Sequence, residues 1–498
     1  MKVVFVYPSY ENLGIEYLSA SLKRAGHETA LVFDPALFDD TFSHVGPLSR
    51  LFSYADLTLE ALVAARPDVV AFSIVSNNVR WFQNLARRVR ERLSVPIVAG
   101  GPHCSAVPHR VLEDGVADYV IRGEGDHALV ELVDSLAAGR VDLSIRNLCY
   151  REGGRVVCNE LRPPIADLDA LPWLDKSLYD ATPLRSDDYY ATLGSRGCPY
   201  RCSFCVNNHL VSLYSGKGRY YRRRSVDGLL AELRERRSVY RFQSVNFLDE
   251  VFDVDRAWTR EFAAKYPAQI GLPFICCVYP SRVDAEGVEL LKSAGCVKVD
   301  MGVQSTNEAM RRDVLLRHES NEDVARAIRL FREAGLPVYA DNIINLPGET
   351  EDDLVQMARF YNEHRPHLVK VLWLTYFPGT RILDHAVDEG LVTPAEREAI
   401  EHGRLGSSPA RGGSLPSAAV KQFAWLFLVM SHLPPRVVET ILARRLYRHV
   451  PDLDMVKNFL VLLRVLNKAR DPHAEMVMNR YRRQYAHYAL RKLRSLLP

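Results

Sequence analysis

Long hydrophobic runs are missing from this chain. Its longest, such as residues 423–430, fall far short of the roughly 20 apolar residues that a bilayer-spanning helix needs. Low-complexity tracts are missing too, and 27 Pro and 28 Gly are ordinary for 498 residues, which excludes a collagenous or disordered chain. Charge of one sign is scarce: 64 basic and 61 acidic residues leave a net +3, so no global field demands a nucleic-acid partner. The first residues, Met1-Lys2-Val3-Val4-Phe5, enter a strand pattern at once, with neither a charged leader and apolar region nor a cleavage site. A cytoplasmic protein is expected. Cysteine is sparse: nine in all, an odd number, too few for a disulfide-stapled secreted fold.

What is present is globular in proportion, with 47% hydrophobic and 25% charged positions. At roughly 150 residues per domain, the length predicts about three domains. Residues 1–140 alternate strand-like segments (2–7, 28–33, 68–74, 96–100 and 118–121) with helical spacings such as Leu18, Leu22 and Ala25. That alternation predicts an α/β, doubly wound (Rossmann-like) parallel sheet, whose ligands sit beyond the C-terminal strand ends. Residues 141–185 differ: a hairpin turning at Gly153-Gly154, then a Pro-rich extended linker. From 186 to 390, six further strand–helix units (strands near 189–194, 243–248, 272–278, 297–301, 337–344 and 369–375) suit a partial (β/α)6 TIM-like barrel. Residues 391–498 read as a mainly helical, basic C-terminal region. Within 441–498 there are 13 Lys and Arg against 4 Asp and Glu, so the remaining 440 residues are mildly acidic.

Three of the nine cysteines, Cys198, Cys202 and Cys205, crowd into eight residues directly after a strand-like run. Thiolates gathered on one loop can converge on a metal centre, and soft sulfur ligands suit iron–sulfur clusters. Structural zinc is the alternative, and it asks for four protein ligands. Cys276 lies inside an expected strand, which leaves His209 to complete such a site. A cluster held by three cysteines leaves one iron open, which points to catalysis.

Cys-x-x-x-Cys-x-x-Cys, with Phe204 before the last Cys, resembles the signature of radical S-adenosylmethionine (SAM) enzymes. The resemblance implies a 4Fe-4S cluster on Cys198, Cys202 and Cys205. Its open iron would bind SAM, which is cleaved reductively to a 5′-deoxyadenosyl radical that abstracts a substrate hydrogen. Later segments are similar to the family's at similar spacings. Asp249 and Glu250 end the second barrel strand, where acidic residues usually meet the SAM amino group. Gln304 and Ser305 end the fourth, with Gln where the family has Glu. Asn345-Leu-Pro347-Gly348-Glu349-Thr350 ends the fifth, with Asn345 where the pattern has Gly. Each segment alone could be a helix cap or a turn; together, and in order, they imply SAM contacts by Phe204, Asp249, Glu250, Gln304, Ser305, Pro347 and Gly348.

A doubly wound domain before such a barrel resembles the cobalamin-binding class of the family. Ser73-Ile-Val75 is similar to the element that seats the lower nucleotide, and Gly100-Gly101-Pro102 to the glycine turn on which the cofactor tail packs. Arg122-Gly-Glu-Gly-Asp126 is similar to a further loop of the class. Many such domains carry a cobalt-ligating His after the first strand; here Glu11 stands in its place, so no lower His ligand is expected from that loop. The resemblance implies methylation of an unactivated carbon in a small-molecule or lipid-like substrate. Oxidative cyclisation or skeletal rearrangement, as on a tetrapyrrole, stays open on the same scaffold, and so does a non-catalytic corrinoid- or redox-sensing module. An electron donor such as flavodoxin or ferredoxin is implied, and no nucleic acid is expected. Cys276, Tyr279, Trp373 and Tyr376 are candidates to face the barrel interior. The basic C-terminal region can pack on its own protein or touch an anionic membrane surface peripherally.

Overall fold

The computed structural model describes residues 1–39, 45–404, 413–450 and 472–496. Its first sheet contains β1 (Lys2–Pro8), β2 (Glu28–Asp34), β3 (Val69–Ser73), β4 (Ile97–Gly100), β5 (Tyr119–Ile121), β6 (Leu148–Glu152) and β7 (Arg155–Cys158), in the order β2-β1-β3-β4-β5-β6-β7. The first five run parallel. Strand side chains alternate between faces, and here both faces are covered. Val4, Val6, Val70 and Phe72 enter one buried core, while Val3, Phe5, Val69 and Ala71 enter another on the opposite side. That is why β1 reads as an unbroken apolar run.

The hairpin expected at 141–185 is not separate from this sheet. β6 pairs antiparallel with β5, and β7 with β6, so the first sheet runs on to Cys158. Leu148 and Cys149 are fully buried against it, which the apolar start of the hairpin explains. Gly153 and Gly154 both take positive φ (55° and 80°), as a tight hairpin turn of this hand requires. Cys149 and Cys158 face each other across the pair and form a disulfide, which their spacing in the sequence alone does not assign. The Pro-rich stretch carries Leu168, Leu171 and Leu174 into a small core shared with Leu13, Tyr17 and Ala191, so it is packed between the two sheets.

The second sheet contains β8 (Tyr189–Thr192), β11 (Ser244–Phe247), β12 (Phe274–Val278), β13 (Cys296–Gln304), β14 (Val338–Ile344) and β15 (Leu368–Trp373), all parallel and in sequential order. A short antiparallel ribbon of β9 (Ser195–Arg196) and β10 (Arg222–Arg223) follows β8. The six strands form the expected partial barrel. One face of each strand packs on the surrounding helices through residues such as Val245, Cys276, Val299, Ala340 and Val369. The other face lines the lumen.

The C-terminal region is helical where described. The helix Ser417–Met430 buries Val420, Phe423, Phe427 and Met430 in the barrel's outer core, so the apolar run is core. Burial is worth roughly 1.5–3 kcal/mol for each such side chain. The last helix, Pro472–Leu496, crosses back to the first sheet, where Tyr488 packs on Tyr54 and Tyr485 on Phe38. Residues 451–471 of the basic stretch lie outside the described residues. No helix among the described residues is long and apolar enough to cross a membrane.

Candidate functional site

The cysteine loop leaves β8 under tight local control. Asp249, just past β11, accepts hydrogen bonds from the Gly194 amide (2.8 Å) and the Ser195 hydroxyl. It is 1% exposed and engaged there, so it shapes the loop base. Gly197 takes φ +81° against the Tyr220 carbonyl, where a side chain would collide with backbone. Beyond it, the Ser203 amide donates to the Leu315 carbonyl (3.0 Å) and Asn208 Nδ2 to the Arg201 carbonyl (2.9 Å). The helix Val206–Leu213 starts directly after Cys205, placing a helix N-terminus beside that sulfur.

Burial pushes the thiols of Cys198 up to about 12 and Cys205 up to about 11, and raises Cys202 as well. Iron would therefore have to displace protons on binding. Among the described residues, no three His, Cys, Asp or Glu groups converge on a single-ion site. A structural zinc would need such convergence, whereas a cluster takes each thiolate on a different iron. His209 is engaged elsewhere, its Nε2 at 3.4 Å from the Ser105 carbonyl, and Cys276 lies in the helix-facing core. Neither completes a zinc site.

A cation that no sequence motif announces stands beside the loop. Arg317 is buried, with Nη1 at 3.7 Å from Cys202 Sγ, Nη2 donating to the Gly302 carbonyl (2.6 Å) and Nε to Glu319 (2.6 Å). Its guanidinium lies 4.4 Å from the Tyr279 ring centre, and Tyr279 stacks on Tyr200 inside the loop at 3.8 Å. The charge works against the burial that raises Cys202. Arg317 follows Gln304 by 13 residues with no motif of its own, so only the fold could reveal it.

The other expected SAM contacts divide. Glu250 keeps surface exposure while neighbouring atoms desolvate its carboxyl and raise it, with Asn207 opposing, and its charge acts on Cys198 and Cys205. Gln304 ends β13 at φ +71°, an uncommon conformation for a side-chain-bearing residue and one that clusters at functional sites. Phe204 packs with Leu346, Leu374 and Tyr376 on the wall beside the ends of β14 and β15. Ser305 is 1% exposed: its carbonyl accepts from Arg311 (2.8 Å) and its hydroxyl from the Asn307 amide (3.2 Å), the geometry of a turn. At the end of β14, Asn345 takes φ +66°, the left-handed region where Asn is the best substitute for Gly. Glu349 closes this loop by accepting the Asn345 amide (2.5 Å) and the Leu346 amide (3.2 Å), and burial lifts its carboxyl to about 8. Gly348, after Pro347, takes φ +76° and donates to Ser414 (2.7 Å).

Alternation along the strands puts Cys277, not Cys276, on the lumen face, together with Asp300, Asp341 and Lys370. Lys370 bridges Asp300 (2.5 Å) and Asp341 (3.2 Å), and Lys298 lies 3.5 Å from Asp300. Of the four residues expected to face the interior, Trp373 packs on the helix side, Tyr376 on the Phe204 wall and Tyr279 on Tyr200. Charged residues at every second position of an otherwise apolar strand were the available signal for the lumen.

At the first sheet, three loops meet beyond the strand ends. The Ile74 amide donates to the Gly100 carbonyl (2.7 Å), the His103 amide to the Ile74 carbonyl (3.2 Å), and Asn12 Nδ2 reaches Ser73 Oγ at 3.5 Å. Gly101, between Gly100 and Pro102, takes φ +103°, and a Cβ there would lie 2.7 Å from the Ile74 carbonyl oxygen. The Val75 amide is held by Asn78 (2.9 Å). Glu11 offers no ligand to a cobalt, since both its oxygens are held in ion pairs, with Lys176 (2.8 Å) and Arg480 (3.0 Å). The close backbone approach at Gly101 and the paired Glu11 fit a corrinoid that takes no protein ligand from this loop.

The loop at 122–126 joins the two sheets. Asp126 takes a bidentate pair from Arg196 on the ribbon (2.9 Å each), Glu124 pairs with Arg222, and the Glu124 amide donates to Tyr214 Oη (2.7 Å). The ribbon that carries the cysteines is thereby fixed to the corrinoid-type domain.

Both domains resemble known ones. The B12 binding domain model matches residues 3–133, and the Radical SAM superfamily model residues 192–361. An uncharacterized methyltransferase of Pyrococcus horikoshii is 26% identical over 79% of this chain and 84% of its own length. An anaerobic magnesium-protoporphyrin IX monomethyl ester cyclase of Cereibacter sphaeroides is 25% identical over 78% of this chain and 64% of its own. The solved structure of OxsB, a cobalamin-dependent SAM radical enzyme with aqua-cobalamin and SAM bound, shares the fold. It covers 97% of this chain and 75% of that one, at TM-score 0.66 and 14% identity. The cofactors of the present chain are a 4Fe-4S cluster, SAM and cobalamin, and it belongs to the cobalamin-binding class of the radical SAM enzymes.

Proposed function

We propose that this enzyme methylates an unactivated carbon of a small-molecule or lipid-like substrate held in the barrel lumen. One observation carries the reading. The corrinoid-type domain and the ribbon that leads into the cysteine loop are tied together by Arg196–Asp126 and Arg222–Glu124, which supports both serving one lumen. When bound, cluster and SAM supply a carbon-centred radical that takes a hydrogen atom from substrate, and cobalamin supplies the methyl group.

The chain's own residues act in three groups. Cys198, Cys202 and Cys205 hold the cluster, with the buried Arg317 keeping a positive charge beside Cys202. Glu250 accepts from a cationic amino group, Gln304 offers neutral hydrogen bonding, and Phe204 supplies an apolar wall, so that SAM is oriented. The ionic lumen of Asp300, Asp341, Lys298 and Lys370 orients a polar group of the substrate and leaves its apolar part toward the radical. Electrons come from a donor such as flavodoxin or ferredoxin in the cytoplasm. The outward face of the last helix exposes Leu490 and Leu493 among Arg491, Lys492 and Arg494, which supports peripheral contact with an anionic membrane and an amphiphilic substrate.

Cyclisation is the second reading, favoured by the likeness to the cyclase. Product analysis after anaerobic reconstitution separates the two. Methylation yields 5′-deoxyadenosine and S-adenosylhomocysteine in step with a methylated product. Product formation with 5′-deoxyadenosine alone would overturn it in favour of cyclisation, and absence of both would leave a non-catalytic module.

A further inference from the structure

The last helix, Pro472–Leu496, passes beside the loop that follows β1 at Arg480 and Gln484, and the contact is built from buried ionisable groups. Glu11 in that loop pairs through one oxygen with Lys176 (2.8 Å) and through the other with Arg480 of the helix (3.0 Å). Lys176 also pairs with Glu16 (2.7 Å) and donates to the Ala191 carbonyl of β8 (2.7 Å). Side-chain exposure is 0% for Lys176 and Glu16, 8% for Glu11 and 3% for Arg480. Arg480 further donates to the Leu184 carbonyl and lies over the Tyr189 ring (4.6 Å), and Gln484 one turn on donates to the Ser9 carbonyl (3.0 Å).

A buried cluster of four ionisable groups is a poor device for stability, because well-packed apolar residues of similar volume do as well or better. It does fix geometry. Ser9 takes φ +74°, the Asn12 amide donates to Tyr179 Oη (2.9 Å), and Asn12 Nδ2 reaches Ser73 on the corrinoid-type face (3.5 Å). Tyr10, between the two anchored ends, is 44% exposed.

We propose that the C-terminal helix is a positioning element of the cobalamin site: Arg480 and Gln484 hold the Ser9–Asn12 loop so that Glu11 stays in its ion pairs and is not offered as a ligand to cobalt. The inference rests on cobalamin as cofactor and goes beyond it in assigning part of its site to the last 25-residue helix. Both residues act through the loop, which they hold at Glu11 and at the Ser9 carbonyl.

The test is a spectrophotometric titration of the full-length, anaerobically reconstituted protein with aquacobalamin, alongside thermal unfolding without it. Arg480→Met weakens cobalamin binding at least about tenfold, Gln484→Ala about threefold, and Arg480→Lys restores most of the loss. Tyr488→Leu loosens the same helix at Tyr54, away from the loop, and leaves cobalamin affinity within about twofold. The cob(II)alamin electron paramagnetic resonance signal changes in Arg480→Met and not in Tyr488→Leu. Should Arg480→Met fail to fold, Gln484→Ala, which removes a single hydrogen bond, decides the matter. Equal loss of melting temperature in Arg480→Met and Tyr488→Leu, with unchanged or equally weakened binding, overturns the inference. Wild-type protein that takes up no cobalamin removes the cofactor assignment itself, and this inference with it.

Discussion

The two parallel sheets treat their faces differently. In the first, β1 and β3 bury side chains on both sides, and everything of chemical interest sits in the loops beyond the strand ends. In the barrel one face is equally apolar, but the other keeps Cys277, Asp300, Asp341 and Lys370 inside the lumen. The first sheet is a platform, so its strands can be read as core. The second is a vessel, so half of each strand is free to meet substrate. Substitutions on the first sheet's faces should cost stability without altering chemistry. Lumen substitutions should do the reverse.

The largest expected effect lies on the loop that leaves the vessel. Cys198→Ala lowers 5′-deoxyadenosine release from SAM by at least about 1000-fold, with iron content reduced and far-ultraviolet circular dichroism unchanged. In the platform, Phe72→Ala removes a fully enclosed ring and costs about 3–5 kcal/mol in urea denaturation; a loss under about 1 kcal/mol would break the contrast. In the vessel, Lys370→Met leaves Asp300 and Asp341 without their shared cation. Stability near neutral pH changes by about 1 kcal/mol or less, because this lysine is part-exposed, while product formed per 5′-deoxyadenosine drops several-fold.

The smallest effect is one of pH. Glu349 has a folded pKa of about 8 against a usual 4.5, so the folded state binds more protons over that interval. Its contribution to stability therefore falls as pH rises from about 4.5 to about 8. Glu349→Gln flattens that slope, read from urea midpoints across the range; an unchanged slope would show that the carboxyl titrates normally.

Much of this was legible in the sequence, for identifiable reasons. Strand positions followed from periodicity, and the cysteine loop from spacing alone. Asn345 departed from the Gly pattern, yet its φ of +66° shows that the substitution preserves the backbone the loop needs. Other roles depended on distance in space. Asp249 and Ser305 stand in the motifs as ligand contacts, and only the fold shows that they also hold backbone, at the loop base and in a turn. Cys276 and Cys277 are adjacent, and only strand register decides which faces the lumen. Arg317 and the sheet-joining loop at 122–126 depend on residues 70 to 115 positions away, beyond any local pattern.

The central claim is that a cluster loop and a corrinoid face serve one lumen. Iron and cobalt quantification of the anaerobically reconstituted protein, with its ultraviolet–visible spectrum, tests it most directly. About four irons and about one cobalt per chain are expected, with the iron lost in Cys198→Ala and the cobalt retained. Zinc in place of iron, or iron with no cobalt taken up, would contradict the account.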